Sequence, residues 1–333
     1  MKGVYVAVGL WALLAVVYGG GYFLAGDDQM VWGWSFDQVW AGTVPGERRW
    51  WPVAWTVVWV VRDVLNGPWL GIVCGGMALV AWCWAYGWTL RVVLVSVVVA
   101  LTGAWADASL GVLHPSKVLV GFGLLGVAVG CWRRGWPWGA YAASFLSGWT
   151  YWWTVVYLPR FWGRGWPDQG AALAGSTAGA VSSWWLTGRI VTPYAWAQAV
   201  SAAVTVPGAL AWSYVWPGEV VGAGYLAFGW VVMVALAGCW VWRREWTELV
   251  CLAVVLGCVV VRYGVVEEGY INSPVEWNGR YGVVWCWTTA WWAYGAVEDR
   301  LGKGGALLAG GAAAVALLPW AGPMTTGQAG WWG

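Results

Sequence analysis

The chain has 333 residues, 61% of them hydrophobic and only 10% charged, with a mean hydropathy of +0.62. Soluble domains carry about 25% charged residues, which excludes an ordinary water-soluble globule, and disorder needs low hydrophobicity with high net charge. Seventeen basic against fifteen acidic side chains leave a net charge of +2, with no basic stripe for nucleic acid; the composition is that of a polytopic membrane protein.

A membrane-crossing helix takes about 20 mostly apolar residues. Along the chain the pattern predicts spans at 3–24, 69–88, 92–106, 117–131, 138–158, 171–187, 193–215, 220–242, 248–265, 282–297 and 304–320. The expected fold is therefore an all-α transmembrane bundle of about 11 spans, one integral membrane domain covering 1–333. The first span also reads as a signal peptide, since Lys2 precedes an apolar run. Its length, and Phe23 three residues before the best small-residue cut, favour an anchor.

The stretch Trp51–Asn66 is apolar but short and ends in Arg62-Asp63. Cytoplasmic loops collect Lys and Arg, and this decides its placement. If it lies along the surface, Lys2, Arg91, Arg133, Arg134, Arg189, Arg243, Arg244, Arg300 and Lys303 all fall inside. If it crosses, every one after Lys2 moves outside. The segment 51–66 is thus read as an interfacial helix in a first external loop, 25–68. Eleven of the fifteen acids then face outward and four (Glu245, Glu248, Glu298, Asp299) inward. The tail from Gly322 is short and external. The expected location is the plasma (inner) membrane of a GC-rich prokaryote or its virus.

Trp occurs 38 times, whereas Ile, Lys and Asn occur three times each. GC-rich codon usage accounts for much of this, so the Trp excess by itself implies no function. The seven Cys lie in apolar stretches, form no Cys-x-x-Cys, and accompany a single His at 114. That gives no zinc or haem framework; they read as small buried residues. Three Gly-x-x-x-Gly words, at 126–130, 175–179 and 218–222, permit close helix approach and carry no functional weight.

The segment Gly26–Trp50 (GDDQMVWGWSFDQVWAGTVPGERRW) holds the richest chemistry. Asp27 and Asp28 end the first span, and Arg48 and Arg49 precede the interfacial helix. A partly desolvated carboxylate can take a proton from a hydroxyl, and nearby guanidinium groups can grip a phosphate in fork geometry. The bland alternative is a solvated loop that caps a helix end. Further along, Arg160 and Arg164 stand with Trp162 and Trp166, a mix that suits a sugar phosphate and equally an interfacial aromatic belt. Glu267, Glu268 and Glu276 offer oxygen ligands for a divalent metal, or simply a solvated loop (266–281). His114 could assist proton transfer or be structural. Arg262, near the outer end of a span, must snorkel or find a partner.

The anchor, the Asp-Asp loop, Arg49-Trp50-Trp51-Pro52, and an interfacial helix ending in Leu65-Asn66-Gly67-Pro68 resemble the GT-C class of membrane glycosyltransferases over residues 10–135. A weaker echo is Asn278-Gly279-Arg280-Tyr281, opening a late span. The resemblance implies a polyprenyl-phosphate-linked sugar as donor, membrane lipid as surroundings and no nucleic-acid partner. It assigns a catalytic acid to Asp27 or Asp28. It assigns lipid-phosphate contacts to Arg49 and Arg280; apart from the resemblance, Arg48, Arg160, Arg164, Arg262, His114, Glu267 and Glu268 are further external groups that would complete the substrate site. No organic cofactor is implied. The chain departs from many members in being short and in lacking a C-terminal soluble domain. The competing readings are a transporter or flippase, which calls for ionisable groups at mid-membrane depth, and a non-catalytic subunit of a larger assembly.

Overall fold

The computed structural model describes residues 2–18, 56–57, 59–60, 70–109, 115–151, 153–154, 156–157, 174–175, 177–178, 191–192, 196–215, 223–264, 266–267 and 279–327. They form helices α1 (Lys2–Tyr18), α2 (Leu70–Tyr86), α3 (Leu90–Ala100), α4 (Gly103–Ser109), α5 (Val120–Arg133) and α6 (Pro137–Thr150). After these come α7 (Trp196–Trp212), α8 (Ala223–Arg243), α9 (Trp246–Gly264) and α10 (Val283–Gly327). A π-helical turn, Pro115–Leu119, leads into α5, and a 3₁₀ turn, Gly279–Gly282, leads into α10. The only strands among the described residues are two residues long, β1 (Val191–Thr192) and β2 (Val266–Glu267), paired antiparallel.

The protein is an all-helical bundle, and its apolar helices fit an integral membrane protein. Ser116–Arg133, Gly224–Arg243 and Val283–Leu318 are long and apolar enough to cross a bilayer. The bent pair α3–α4 makes a fourth if counted as one span, while α1, α2 and Trp246–Cys258 are apolar but shorter. The described residues do not confirm eleven spans. Of the segment 51–66, expected to be an interfacial helix, residues 56, 57, 59 and 60 are described and helical, and Val57 packs on the core.

Two departures from the sequence reading have local causes. The stretch 92–106 is not one straight helix but bends by 70° between α3 and α4. Thr102 caps the new helix, its Oγ1 accepting from Trp105 N–H at 3.2 Å. The N–H groups of Gly103 and Ala104 donate to the carbonyls of Tyr214 and Ser213 at 3.0 and 2.9 Å. Those donors have no partner within the helix itself, so a distant turn supplies one. The second departure is the β pairing, which aligns Val191 with Glu267. The charge count had Arg189, two residues before β1, and Glu267 on opposite faces; counting side-chain charges has no term for backbone pairing.

α10 is two helices joined at Gly302, whose φ of 70° and ψ of 179° are essentially restricted to glycine. The first arm runs antiparallel to α3: a Cβ on Gly282 would touch Ala104, and one on Gly295 would touch Arg91. The second arm runs back, since a Cβ on Gly310 would meet Leu94 and Leu317 packs with Val98 and Leu101. Ala290 and Ala314, twelve residues either side of the break, pack on that same cluster. This hairpin matches the expected pair 282–297 and 304–320, although the helix continues to Gly327.

The core is mostly Val, Leu and Ala, and tryptophans supply its bulkiest side chains. Trp82, Trp105, Trp153, Trp240 and Trp287 are among the largest fully buried side chains. Trp82 meets Phe122, Tyr157 and Trp287 at centroid distances of 5.1, 5.0 and 4.6 Å, within the range of favourable ring pairs. Its indole N–H donates to the Phe122 carbonyl at 3.1 Å. α5 approaches α2 closely through glycine: Gly123 and Gly126 would place a Cβ 3.1–3.2 Å from the backbone of Ala78 and Ala81.

The contacts also sort the charges by end. At one end Arg133 lies over Tyr86 (4.9 Å), Arg134 over Trp84 (3.9 Å), Arg91 over Trp291 (4.1 Å) and Arg300 over Trp242 (5.8 Å). Arg243 pairs there with Asp299 at 3.1 Å, and Gly3, next to Lys2, abuts Trp88. Arg244 and Lys303 adjoin these residues in the chain. The basic side chains that the charge rule grouped, apart from Arg189 outside the described residues, thus gather at one end. Tyr18, Ala100 and Arg280 belong to the other, where Tyr18 Oη donates to the Ala100 carbonyl at 2.6 Å.

Candidate functional site

The one ion pair at the non-basic end among the described residues joins α4 to the turn before α10. Asp107 lies on α4, 12% exposed, and Arg280 on the 3₁₀ turn, 18% exposed. The Arg280 backbone N–H donates to Asp107 Oδ2 at 2.8 Å, while its guanidinium Nη1 stands 3.7 Å from the same oxygen. The carboxylate therefore holds the main chain by a hydrogen bond and the side chain by Coulomb attraction alone, since charged hydrogen bonds run to about 2.7–2.9 Å. Tyr151, just beyond α6, donates its hydroxyl to the Arg280 carbonyl at 3.1 Å. Both backbone polar groups of Arg280 are thus fixed by side chains 173 and 129 residues away.

The same elements carry polar atoms that are buried without a hydrogen-bond partner among the described residues: Trp105 Nε1 and Ser109 Oγ on α4, and Ser213 Oγ after α7. A Cβ on Gly282 would collide with Ser213 Oγ, so the turn after Arg280 sits directly on that hydroxyl. Tyr214 Oη donates to the Cys286 carbonyl at 2.9 Å and bonds Thr289. Buried groups left unsatisfied are uncommon and call for water or a ligand. Ser213 Oγ lies against the turn that follows Arg280, whereas the Trp105 ring faces Gly75 and Ser109 abuts Gly71 of α2, so the groups shown around the Asp107 carboxylate are the Arg280 N–H and guanidinium.

Of the residues singled out from sequence, Asp27, Asp28, Arg48, Arg49, His114, Arg160, Arg164 and Glu268 lie outside the described residues. Arg262 is in the last turns of α9, and Glu267 lies in β2. Arg280 is the one whose side-chain surroundings are described. Its partner Asp107 was read only as an outward acid at a span end, and Tyr151, Ser109 and Ser213 were not singled out. A signal existed for Asp107, as the only carboxylate in the Trp105–Ser109 stretch. Nothing local pointed to the other three.

Among the described residues no group of three or more His, Cys, Asp or Glu could hold a metal ion. Glu268 and Glu276, two of the three acids of the suggested oxygen-ligand site, lie outside them. No family model, no curated protein and no solved structure matches the chain.

Proposed function

We propose that the protein is an integral membrane glycosyltransferase that moves a sugar from a polyprenyl-phosphate donor to an acceptor hydroxyl at the end remote from the basic collar. The observation that supports this best is the half-buried Arg280, anchored through its backbone by Asp107 and Tyr151 at that end. A guanidinium held by main-chain bonds keeps its orientation when a phosphate arrives, and orientation is what converts binding into rate. The acceptor oxygen attacks the anomeric carbon from the face opposite the phosphate, inverting it. The carbon–oxygen bond to the phosphate breaks, polyprenyl phosphate departs with the electron pair, and the acceptor proton passes to Asp27 or Asp28. Arg280 stabilises the charge growing on the leaving phosphate. In this reading the bundle has about 11 spans with the basic end in the cytoplasm.

A second reading, a flippase for such a lipid, draws on the break between α3 and α4, because interrupted helices line the substrate paths of transporters. Proteoliposomes loaded with polyprenyl-phosphate hexoses and pentoses separate the two. Sugar transfer that is abolished by Asp27→Asn or Asp28→Asn and lowered at least tenfold by Arg280→Gln supports the enzyme. Movement of intact donor between leaflets without cleavage supports the flippase. Full transfer activity in all three variants refutes the proposed site.

A further inference from the structure

We infer that the cleft between α1 and α2 at the basic end binds an anionic glycerophospholipid of the leaflet it faces. It is a shallow, open groove with a volume of about 670 Å³. Lys2, Gly3, Val4 and Ala7 of α1, Val80 of α2 and Trp88 of the following turn line it. Apart from Lys2 the lining is apolar, and no carboxylate is part of it. In a bilayer such an open groove takes an acyl chain.

The headgroup preference follows from the rim. Arg91, Arg133, Arg134 and Arg300 spend their charge on aromatic faces, and Arg243 on Asp299. Lys2, like Arg244 and Lys303 at the same end, has no side-chain partner among the described residues, and of these three it is the one that lines the groove. Lys2 and Trp88, the latter 38% exposed, line the groove together, with α1 packed closely on the indole at Gly3. Gly3 allows this closeness, because a Cβ there would lie 2.7 Å from Trp88 Cε2. An ammonium and an indole N–H together bracket a phosphate, and Trp favours the headgroup depth. A zwitterionic headgroup would bring a second cation to Lys2. An anionic one brings none, and basic pockets between helices on the cytoplasmic side bind anionic headgroups for this reason. The site lies at the opposite end from Arg280 and is independent of the sugar-transfer reading.

The test reconstitutes the full chain in phosphatidylcholine nanodiscs containing a minority of phosphatidylglycerol, with a photoreactive acyl chain on one lipid or the other, and maps adducts by peptide. Phosphatidylglycerol is expected to label the peptides containing Val4, Ala7 and Val80 about fivefold more than phosphatidylcholine, the factor one basic side chain contributes at an anionic leaflet. Lys2→Gln should bring the two lipids level, and Ala7→Trp, which fills the groove, should suppress both. Equal labelling by the two lipids in the wild type, a preference that survives Lys2→Gln, or no adducts in these peptides would each overturn the assignment.

Discussion

Replacing Asp107 by Asn removes one charge and leaves the shape of the site almost unchanged. At 3.7 Å and an effective dielectric constant of about 20, the lost attraction to Arg280 is about 4.5 kcal/mol. The amide oxygen still accepts from the Arg280 N–H, but that bond falls from the charged class, about 1.5–3 kcal/mol, to about 1 kcal/mol. The Asn side chain is cheaper to bury than a carboxylate, which returns part of the loss. Removing one member of a buried pair costs about 3–5 kcal/mol in general, and we expect about 3 kcal/mol here. Titration with SDS in mixed micelles, followed by near-ultraviolet circular dichroism of the packed indoles, measures it. Arg280→Gln should cost a similar amount. The double variant should cost less than the sum by about 1 kcal/mol or more, because the second change removes the charge the first left stranded. A loss below about 1 kcal/mol for Asp107→Asn, or strict additivity, would refute the view that these two groups hold α4 to the turn before α10.

The same titration checks the close contact of α7 with α8. A side chain at Gly229 would collide with the Gly208 carbonyl, whereas Gly224 has nothing within 4 Å; Gly229→Val should lose about 1–3 kcal/mol and Gly224→Val far less, and equal effects would count against this packing. Gly302→Ala should cost about 1–3 kcal/mol for its backbone conformation, with the Gly304→Ala change, in open space, as the control. If the basic end faces the cytoplasm, cysteines placed at 303 and 117 in a background free of native cysteine label from opposite sides of sealed vesicles. Position 303 should label from the cytoplasmic face; labelling of 303 from the other face, or of both positions from one side, would overturn that orientation.

What the sequence disclosed follows the range of the forces involved. The arms of α10 were visible because the apolar run is interrupted by Arg300, Gly302 and Lys303, all local signals. The basic collar was visible because Lys and Arg fall at regular intervals between apolar runs. The bend after α3 was hidden: Leu101-Thr102-Gly103 is a weak interruption, and the carbonyls that stabilise the bend come from Ser213 and Tyr214. Arg280 was found through the short word around it, but its meaning depends on Asp107 and Tyr151, which chain periodicity cannot bring near. The abundance of Trp was attributed to codon usage. That origin is compatible with the structure, where some tryptophans fill the core and others, Trp84, Trp242 and Trp291, receive arginines.

The early end of α3 fixes how deep the Asp107–Arg280 pair lies. Eleven helical residues rise about 16 Å, and the tilted α4 adds only a few ångströms more before Asp107. Were the foot of α3 at the basic surface of a hydrocarbon layer of about 30 Å, the pair would sit about 10 Å below the far surface, and a donor phosphate would have to be drawn inward to reach it. An ion that reaches it from that side crosses about a third of the transmembrane field, so each charge gains or loses about 0.8 kcal/mol per 100 mV. If the sugar-transfer proposal holds and the donor phosphate reaches this pair, its occupancy should change by about a factor of four for each 100 mV across the membrane.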